Sequence, residues 1–455
     1  MKKSFFPFTL LLALGFLLVT SVPAWADDNA DEYEEEIFTT TGLPNYRIPA
    51  IACTRKGNLV AVADYRYGGN DIGYGSVELR RRISRDNGAT WGDVVEFTHG
   101  KYATSPKPKY DAAYGDPCIV ADRTSDSILI LSCSGNTGFP NGTRDVHQGI
   151  ARFYSTDEGE TWSEPDYIQE PIYALFDGSS HGPVRSLFIG SGKIHQSRYV
   201  KVGKFYRLYC SVIVKDNNGV NCDYVIYSDD FGGSWHLLGD ADTPPIPSGD
   251  EPKAEELPDG RVICSSRVTG GRKFNVFTFS DVEKGEGSWG TCVASNASNN
   301  GTVAAGNSCN GEIMIVPAIR KHDGEKLYVA LQSVPFGYGK SSDGRDNVGI
   351  YYKELSDLSD FRTPTEFARD WDGRHQASYR RSAYSTMCMQ ADGRVAFLYE
   401  ETTHNYDYSI IYKPYTLEDI TGGQYSFDAD PQRYAFLSRF IDEEVNPFTM
   451  VASAR

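Results

Sequence analysis

The chain has 455 residues and a formal net charge of −16, with 45 Lys and Arg against 61 Asp and Glu. Binding to nucleic acid requires a cationic surface, so this charge balance argues against a nucleic-acid partner. Hydrophobic residues make up 40% of the chain, charged residues make up 23%, and 44 glycines accompany only 5 methionines. Such a composition is typical of a globular protein with many turns and excludes an intrinsically disordered one.

The first 26 residues have the features of a secretory signal peptide. Lys2 and Lys3 form a basic start, residues 5–22 are almost wholly apolar, and Ala24-Trp25-Ala26 is a small-residue cleavage signal;. No later stretch approaches the ~20 apolar residues that span a bilayer. We therefore expect residues 27–455 to form one exported domain, secreted or periplasmic, monomeric and without a membrane span once the signal is removed.

The nine cysteines and eight histidines carry little catalytic signal. Most cysteines lie in apolar runs, where a thiol packs as a small hydrophobic group, and no CxxC occurs;. The pair that we expect to form a disulfide, if any does, is Cys292 with Cys309, because an exported chain permits one. The histidines lack HExxH or any other metal-ligand spacing, so we predict no metal and no cofactor.

From residue 36 onward, short runs of Val, Ile, Tyr, Phe and Leu alternate with clusters of Gly, Asp, Asn and Ser. This pattern predicts antiparallel strands in a meander, with a short helical turn near residues 355–367 as the one exception. The strands are accompanied by a repeated motif, SxDxGxTW. Its copies are Ser84-Arg-Asp86-Asn-Gly88-Ala-Thr90-Trp91, Ser155-Thr-Asp157-Glu-Gly159-Glu-Thr161-Trp162 and Ser228-Asp-Asp230-Phe-Gly232-Gly-Ser234-Trp235, with a weaker one at residues 280–289.

The motif predicts a turn in which Asp accepts backbone N–H bonds, Gly takes a positive φ and Trp packs beneath. Repeats of a four-stranded unit at intervals of roughly 70 residues indicate the blades of a β-propeller. The motif is therefore evidence for architecture before it is evidence for function.

The repeats and the segment Tyr46-Arg47-Ile48-Pro49 together resemble the exo-α-sialidases, in which the repeats are called Asp boxes and a Y/F-R-I-P motif precedes the first of them. The resemblance extends over residues 36–430. It implies an all-β fold, a six-bladed β-propeller of four-stranded antiparallel blades, with the active site at one end of the propeller axis.

Three hairpins can be registered from their turns. If Lys56-Gly57, Asp259-Gly260 and Asp392-Gly393 are two-residue loops, then Arg47 lies opposite Arg66, Glu251 opposite Val268 beside Arg267, and Tyr384 opposite Glu401 beside Glu400;. Each hairpin then carries an Arg, Glu or Tyr pair at its open end, which suggests one shared surface. A bulge would shift these registers by one residue.

Sialic acid is a sugar with a carboxylate, and planar guanidinium groups are the best match for that anion. The resemblance implies that Arg47, Arg267 and Arg345 clamp the carboxylate, with Arg362 and Arg369 as rivals for the third position. It also implies that Glu400 orients the first arginine, and that Arg66 and Asp116 contact the substrate or the arginines.

A carboxylate nucleophile would be repelled by the substrate's own carboxylate, whereas a phenol is neutral until it reacts, and sialidases are known to use tyrosine. The resemblance implies that Tyr384 is the nucleophile and Glu251 its activating base, with Glu255 and Glu256 as competitors for the base. Asp71, in a glycine-rich loop, takes the position of the family's general acid.

Two other interpretations compete. Gly178-Ser-Ser180-His-Gly182 satisfies GxSxG, which in a serine hydrolase requires a strand before it and a helix after it;. A propeller that only binds glycans could keep the Asp boxes as turns. We predict a retaining exo-α-sialidase that acts on terminal sialic acid of glycoconjugates, with transfer of sialic acid to another sugar as the alternative.

Overall fold

The computed structural model describes Met1 and residues 34–306 and 309–429. The predicted signal peptide lies outside the described residues, apart from Met1. The described residues from 34 onward belong to one compact unit by their internal contacts. In the described ranges, no helix is both long and apolar enough to cross a membrane.

The strands fall into six sheets, which are the six blades of the predicted propeller. Blade 1 contains β2 (Asn45–Cys53), β3 (Leu59–Arg66), β4 (Val77–Ser84) and β5 (Val95–Glu96). Blade 2 contains β6 (Tyr114–Ala121), β7 (Ile128–Ser134), β8 (Gly149–Ser155), β9 (Asp166–Tyr167) and β11 (Gly192–Lys193). Blade 3 contains β10 (Ser186–Ile189), β12 (His195–Val202), β13 (Phe205–Lys215), β14 (Asn221–Ser228) and β15 (His236–Leu237).

The remaining three blades follow the same plan. Blade 4 contains β16 (Asp250–Glu256), β17 (Val262–Val268), β18 (Gly271–Asp281), β19 (Glu286–Trp289) and β20 (Val293–Ser295). Blade 5 contains β21 (Ile313–Arg320), β22 (Lys326–Pro335), β23 (Val348–Leu355), β24 (Gly373–Gln376) and β28 (Tyr425–Phe427). Blade 6 contains β25 (Ser382–Met389), β26 (Val395–Glu401), β27 (Ser409–Tyr415) and the first strand of the chain, β1 (Glu35–Phe38).

The pairing is antiparallel within the blades, as predicted, and the parallel pair β11–β6 is an addition at the edge of blade 2. Blade 6 closes the ring, because β1 pairs with β27 from the other end of the domain. Helices are short: α1 (Gln169–Ala174), α2 (Pro364–Ala368) and α3 (Leu417–Thr421), with 3-10 turns at Phe139–Asn141, Ala297–Asn299 and Leu358–Asp360. The helical turn expected near residues 355–367 is confirmed.

The hydrophobic core lies between neighbouring sheets. Between blades 6 and 1, Ile51, Ala61 and Trp91 pack against Leu398 and Tyr412. A similar cluster joins Val60, Val62 and Ile83 of blade 1 to Ile128 and Phe153 of blade 2. Each blade is therefore buried on both faces, which explains why its strands are continuous apolar runs.

The proposed disulfide is wrong. Each of the nine cysteines carries a thiol, and the two members of the expected pair lie in different clusters. Cys292 packs at the edge of a cluster between blades 3 and 4, whereas Cys309 is buried with Ile48 and Tyr384. Separate packing environments leave the two sulfur atoms no way to meet.

The three hairpin loops are one residue longer than predicted. Gly57 N donates to Thr54 O at 2.9 Å, while Thr54 N donates to Asn58 O at 2.8 Å, so the loop contains residues 55–57 and ends on Gly57 with φ of 87°. The loops ending at Gly260 and Gly393 repeat this pattern. A three-residue loop with glycine in the left-handed region shifts every pair by one residue, as in Cys53↔Leu59;.

A bulge then shifts the pairs at the open end again. In β2 the register changes between Arg47 and Ala50, so Arg47 lies opposite Asp64 and not Arg66. Likewise Glu251 does not pair with Val268: Asp250 pairs with Arg267, and Glu251 lies in the bulge, where it contacts Arg267 as predicted. In β25, Ser382, not Tyr384, pairs with Glu401. The predicted partners were therefore wrong, although for Arg47 the two shifts add to two residues and so keep its side chain on the predicted face.

The Asp boxes are turns between the third and fourth strands of blades 1 to 3. In the first, Gly88 N donates to Ser84 Oγ at 2.8 Å and Thr90 N donates to Asp86 Oδ1 at 2.8 Å. The bond from the Thr90 hydroxyl and the bond from Thr90 N lower the pKa of Asp86. The other two boxes repeat the bonds at Asp157 and Asp230. The motif therefore has a structural role, which is to hold the turn together, as predicted.

The equivalent Asp-box glycines provide a matched test of packing. Gly88 and Gly159 have φ of 88° and 86°, but a Cβ at Gly88 would lie 1.9 Å from Tyr412 Oη, whereas one at Gly159 would lie 3.3 Å from the nearest atom, on Val60. We predict that Gly159→Ala lowers the free energy of unfolding by about 1–2 kcal/mol, the cost of the left-handed backbone. Gly88→Ala should lower it by about 3 kcal/mol or more, because the buried Tyr412 ring must also move. Urea unfolding of the two variants measures the difference, and equal losses would contradict the packing explanation.

Candidate active site

Three innermost strands carry a bulge residue with positive φ at the same end of the propeller. Ile48, Asp116 and Glu251 have φ of 52°, 50° and 36°, and each lies at the register shift of β2, β6 or β16. Non-glycine residues seldom adopt this conformation, and such strain is concentrated at functional sites. The bulges turn successive side chains of these strands toward a common cavity.

Tyr384, Glu251 and Arg267 form a hydrogen-bonded triad. Tyr384 Oη donates to Glu251 Oε1, and Arg267 Nη1 donates to Glu251 Oε2 at 2.8 Å and to Tyr384 Oη at 3.1 Å. Burial raises the pKa of Tyr384 well above its usual 10, and the neighbouring carboxylate of Glu251 adds to this. Burial also acts to raise the pKa of Glu251, but the Arg267 guanidinium and the bond from Tyr384 outweigh it, so that pKa is lowered. The pair is therefore a neutral phenol bound to an ionised carboxylate that can accept its proton.

Glu400 holds Arg47 from behind. Arg47 Nε and Nη2 donate to the two oxygens of Glu400 at 2.7 and 3.2 Å, and the backbone N–H groups of Ile48 and Tyr384 donate to the same carboxylate. The Glu400 side chain is fully buried. A carboxylate with four donors fixes the arginine and the backbone of Tyr384 in one arrangement.

Arg345 lies on another side of the tyrosine. Its Cζ is 5.6 Å from the centre of the Tyr384 ring, and Arg47 Cζ is 5.5 Å from the same point. Within the described residues, no carboxylate forms an ion pair with Arg345 and its buried Nε has no hydrogen-bond partner. The guanidinium is therefore available to an anion in the cavity.

The rival arginines are elsewhere. Arg362 offers its carbonyl oxygen to Arg261, and Arg369 lies beside Asp370 in a separate cavity of blade 5. The segment between Arg345 and Tyr384 contains β23, α2 and β24 with their loops.

Asp71 is joined to the cavity wall through arginine. Arg66 Nη2 lies 3.0 Å from Asp71 Oδ1, and the same guanidinium donates from Nε and Nη2 to Asp64 Oδ2 at 3.1 and 2.8 Å. Asp64 Oδ1 accepts the backbone N–H of Asp116 at 2.9 Å. The Asp71 side chain remains 59% exposed, so it is able to exchange protons with a ligand and with water.

These groups surround one cavity of about 480 Å³. Seven of the nine predicted site residues line it: Arg47, Arg66, Asp71, Asp116, Glu251, Arg345 and Tyr384. Arg267 lines an adjoining cavity together with Asp250 and contacts Glu251 and Tyr384, whereas Glu400 contacts lining residues from behind the wall. The predicted set is therefore brought together in space, from blades 1, 2, 4, 5 and 6.

Sequence reasoning missed several participants. Asp64 precedes Arg66 by two residues in a strand, so the alternation of side chains could have placed them on one face.

Asp250 also lines the cavity. Burial and, after it, the charge of Glu251 raise the pKa of Asp250 to about 6. The centre of the Tyr408 ring lies 4.9 Å from Arg47 Cζ. The apolar wall of Ile72, Phe139 and Phe188 had no sequence signal, because its members come from three separate loops and strands.

The competing interpretations do not match the geometry. Glu255 pairs with Lys193 and Arg198 at 2.7 and 2.8 Å, and Glu256 accepts from the backbone of Arg198, so both point away from Tyr384. Ser180 lies in turns that follow α1 and precede β10, so the strand-turn-helix of a nucleophile elbow is not formed. Among residues 34–306 and 309–429, no cluster of three His, Cys, Asp or Glu side chains could hold a metal ion.

Comparison with known proteins gives a consistent result. A family model described as a BNR repeat-like domain matches residues 57–397. A sialidase of Micromonospora viridifaciens is 31% identical over 261 residues, which cover 54% of this chain and only 36% of that protein. A sialidase of Paraclostridium sordellii is 24% identical over 362 residues, covering 78% of this chain and 81% of the relative.

Solved structures share the fold at lower identity. An intramolecular trans-sialidase from Ruminococcus gnavus has a TM-score of 0.64 at 16% identity, covering 85% of this chain and 98% of that one. A Hadza microbial sialidase has a TM-score of 0.61 at 20% identity, covering 82% and 66%. With the match over residues 57–397, the chain belongs to the family of BNR repeat-like domains, and it is similar to bacterial sialidases.

Proposed function

We propose that this protein is an exo-α-sialidase that removes terminal α-linked sialic acid from glycoproteins, glycolipids and oligosaccharides. The observation that carries the proposal is the bond from Tyr384 Oη to Glu251, with Arg267 touching both, at the edge of a cavity that also contains Arg47 and Arg345. A phenol paired with a base and surrounded by guanidinium groups suits a substrate that brings its own carboxylate to the reacting carbon.

The arginines would bind the substrate carboxylate. Arg47 and Arg267 already share their charge with Glu400 and Glu251, whereas Arg345 has no carboxylate partner within the described chain. The charge of Arg345 is thus left for the ligand, while the other two offer hydrogen bonds in fixed directions. Planar guanidinium groups bind carboxylates more specifically than ammonium groups do.

The first step would be attack by Tyr384 Oη on the anomeric carbon. The phenol proton passes to Glu251 while Asp71 gives its proton to the leaving glycosidic oxygen, so one carbon–oxygen bond forms and one breaks. Glu251 suits its role because its pKa lies below the usual value and it is ionised at neutral pH. Since the ordinary phenol pKa is near 10 and burial raises it here, Tyr384 depends on that base;.

The second step would regenerate the enzyme. Asp71, now ionised, takes a proton from water as the water attacks the anomeric carbon, and Glu251 returns its proton to Tyr384. Two displacements at one carbon give retention of configuration. The exposed side chain of Asp71 provides the access to water that this step needs.

Transfer of sialic acid is the second candidate, because neighbouring structures include an intramolecular trans-sialidase from Ruminococcus gnavus and one from leech. The same triad would serve both reactions, and the products distinguish them. Hydrolysis gives free sialic acid, intramolecular transfer gives a product lighter by one water, and transfer to a sugar gives a new sialoside. A glycan-binding propeller without activity would give none of these.

We predict that Tyr384→Phe lowers turnover of a fluorogenic sialoside by at least about 1,000-fold, because the proposed covalent intermediate forms on the Tyr384 hydroxyl that this change removes. Glu251→Gln should lower it by about 100-fold or more, and Asp71→Ala should slow natural glycosides more than substrates with a good leaving group. Tyr412→Phe is the control, since Tyr412 is a buried tyrosine of the same blade that does not line the cavity.

Normal hydrolysis by Tyr384→Phe would contradict the mechanism. Proton NMR of the wild-type reaction checks the stereochemistry, since a retaining enzyme releases the α anomer of sialic acid first. Release of the β anomer first would contradict the covalent intermediate.

The position of Asp250 predicts a pH dependence of binding. Its carboxyl, with pKa raised to about 6, lies 3.9 Å from Arg267 Nη1. Below that pKa the carboxyl is neutral, so an anionic ligand such as free sialic acid should bind several-fold more tightly at about pH 5 than at about pH 7. Asp250→Asn is neutral throughout and should lose this part of the dependence, whereas the exposed Asp240→Asn should keep it. Calorimetric titration at the two pH values measures the difference, and equal pH dependence in wild type and Asp250→Asn would contradict the assignment.

A further inference from the structure

A second cavity, of about 580 Å³, lies between blades 1 and 2 and shares no lining residue with the candidate active site. Its wall comes from the segment after β5, the segment before β6, and the strands β8 and β9 with the Asp-box turn between them. Aromatic rings and polar side chains of both charge signs line it. A cavity of this size is within the ~300–1,000 Å³ range of small-molecule sites.

Aromatic rings that brace one another form its inner surface. Phe97 and Trp162 are stacked with ring centres 5.1 Å apart at 27°. Tyr114 lies edge-on to Phe153 at 5.6 Å, and its hydroxyl bonds to that of Tyr167 at 2.7 Å. Because each ring is held by another, this surface exists before any ligand arrives.

Trp162 differs from the equivalent tryptophans of the other Asp boxes. Trp91 and Trp235 are each 8% exposed and serve the core, with Trp91 edge-on to Tyr412. Trp162 occupies the same place in its motif but is only partly buried and faces the cavity. The exposure of Trp162 is therefore not a requirement of the Asp-box turn, because the same turn forms with a buried tryptophan in the other two copies.

The polar groups of the cavity carry both signs. The cations Lys101 and Lys109 are matched in number by the carboxylates of Asp111 and Glu164, and Thr98 and Ser163 also line the cavity. The chain as a whole has a net charge of −16, but the equal numbers of lysines and carboxylates in this cavity favour neither an anionic nor a cationic ligand. An uncharged ligand that offers both C–H faces and hydroxyl groups fits it best.

We propose that this cavity is a second binding site, for a neutral saccharide. The C–H bonds on one face of a hexose pack on an aromatic ring, while its hydroxyl groups bond to carboxylates and to serine or threonine hydroxyls at the rim. Both kinds of group are present here, and the site adds to the candidate active site without depending on its chemistry. A monosaccharide or disaccharide unit of a glycan fits the available volume.

Lactose, a neutral disaccharide, is the probe for the test. The full chain is labelled with 5-fluorotryptophan, and the signals of Trp162 and Trp91 are identified from Trp162→Phe and Trp91→Phe. We expect lactose to shift the Trp162 signal with a dissociation constant on the order of 1 mM and to leave the Trp91 signal in place. Calorimetry should then show binding to Trp91→Phe but at least about tenfold weaker binding to Trp162→Phe.

Two further variants keep the test independent of the Asp-box turn. Asp111→Ala removes a rim carboxylate and should weaken lactose binding, whereas Asp93→Ala, at an exposed position outside the cavity, should not. All four variants should hydrolyse a small fluorogenic sialoside at wild-type rates if the chain is a sialidase. The proposal is overturned if lactose leaves the Trp162 signal unchanged at concentrations well above millimolar, or if binding is the same in Trp162→Phe and Asp111→Ala as in their controls.

Discussion

The candidate site depends on one buried carboxylate, Glu400. Its two oxygens accept from the Arg47 guanidinium, from Ile48 N and from Tyr384 N, while its side chain has no exposure to solvent. Such a charge is tolerated only if donors surround it, and removal of one partner from a buried pair is far more costly than the pair is beneficial. Blades 1 and 6 are thus tied together at the closure of the ring, next to the tyrosine on which the proposed chemistry relies.

The bulges of the inner strands explain how the other side chains reach the cavity. A regular strand would alternate its residues between the two faces of the blade, both of which are occupied by apolar packing against neighbours. The additional residue in β2, β6 and β16 lets Ile48, Asp116 and Glu251 adopt positive φ and turns the strand end toward the axis. The same displacement occurs in β25 before Tyr384. Local backbone strain is therefore the means by which a packed architecture presents polar groups at one end.

These bulges also mark the limit of what the sequence could predict. The turn residues and the spacing of the Asp boxes were sufficient to predict a β-propeller. The Tyr46–Pro49 motif was sufficient to indicate which family the chain resembles. The pairs of Arg47, Glu251 and Tyr384 were predicted incorrectly, because each hairpin loop is one residue longer than predicted and a bulge then shifts the register again. A bulge depends on tertiary packing and has no local signature. The volume between blades 1 and 2 was invisible for the same reason, since its rings come from segments that only the ring of blades brings together.

Asp64 illustrates a different limit. Its position two residues before Arg66 was readable, but its role was not, because the backbone N–H of Asp116 that it accepts belongs to another blade. The expected pair of Cys292 and Cys309 failed for the opposite reason. Export to an oxidising compartment allows a disulfide to form but does not bring two cysteines close together. In the folded chain the two thiols pack in different hydrophobic clusters.

The acidic chain must still hold the anion that the proposed function requires. Four cations line the cavity, Arg47, Arg66, Lys215 and Arg345, against the four carboxyls of Asp71, Asp116, Asp250 and Glu251. The four cations and four carboxyls would cancel if all were ionised. Burial raises the pKa of Asp116 and of Asp250, and a neighbouring carboxylate raises each of them further. Carboxyls that are partly protonated leave the guanidinium charges less compensated than the count implies. The remaining negative charge of the surface is screened beyond ~8–10 Å at physiological salt, so the anion binding that the proposed function requires depends on the guanidinium groups and carboxyls inside the cavity and not on the net charge of the chain.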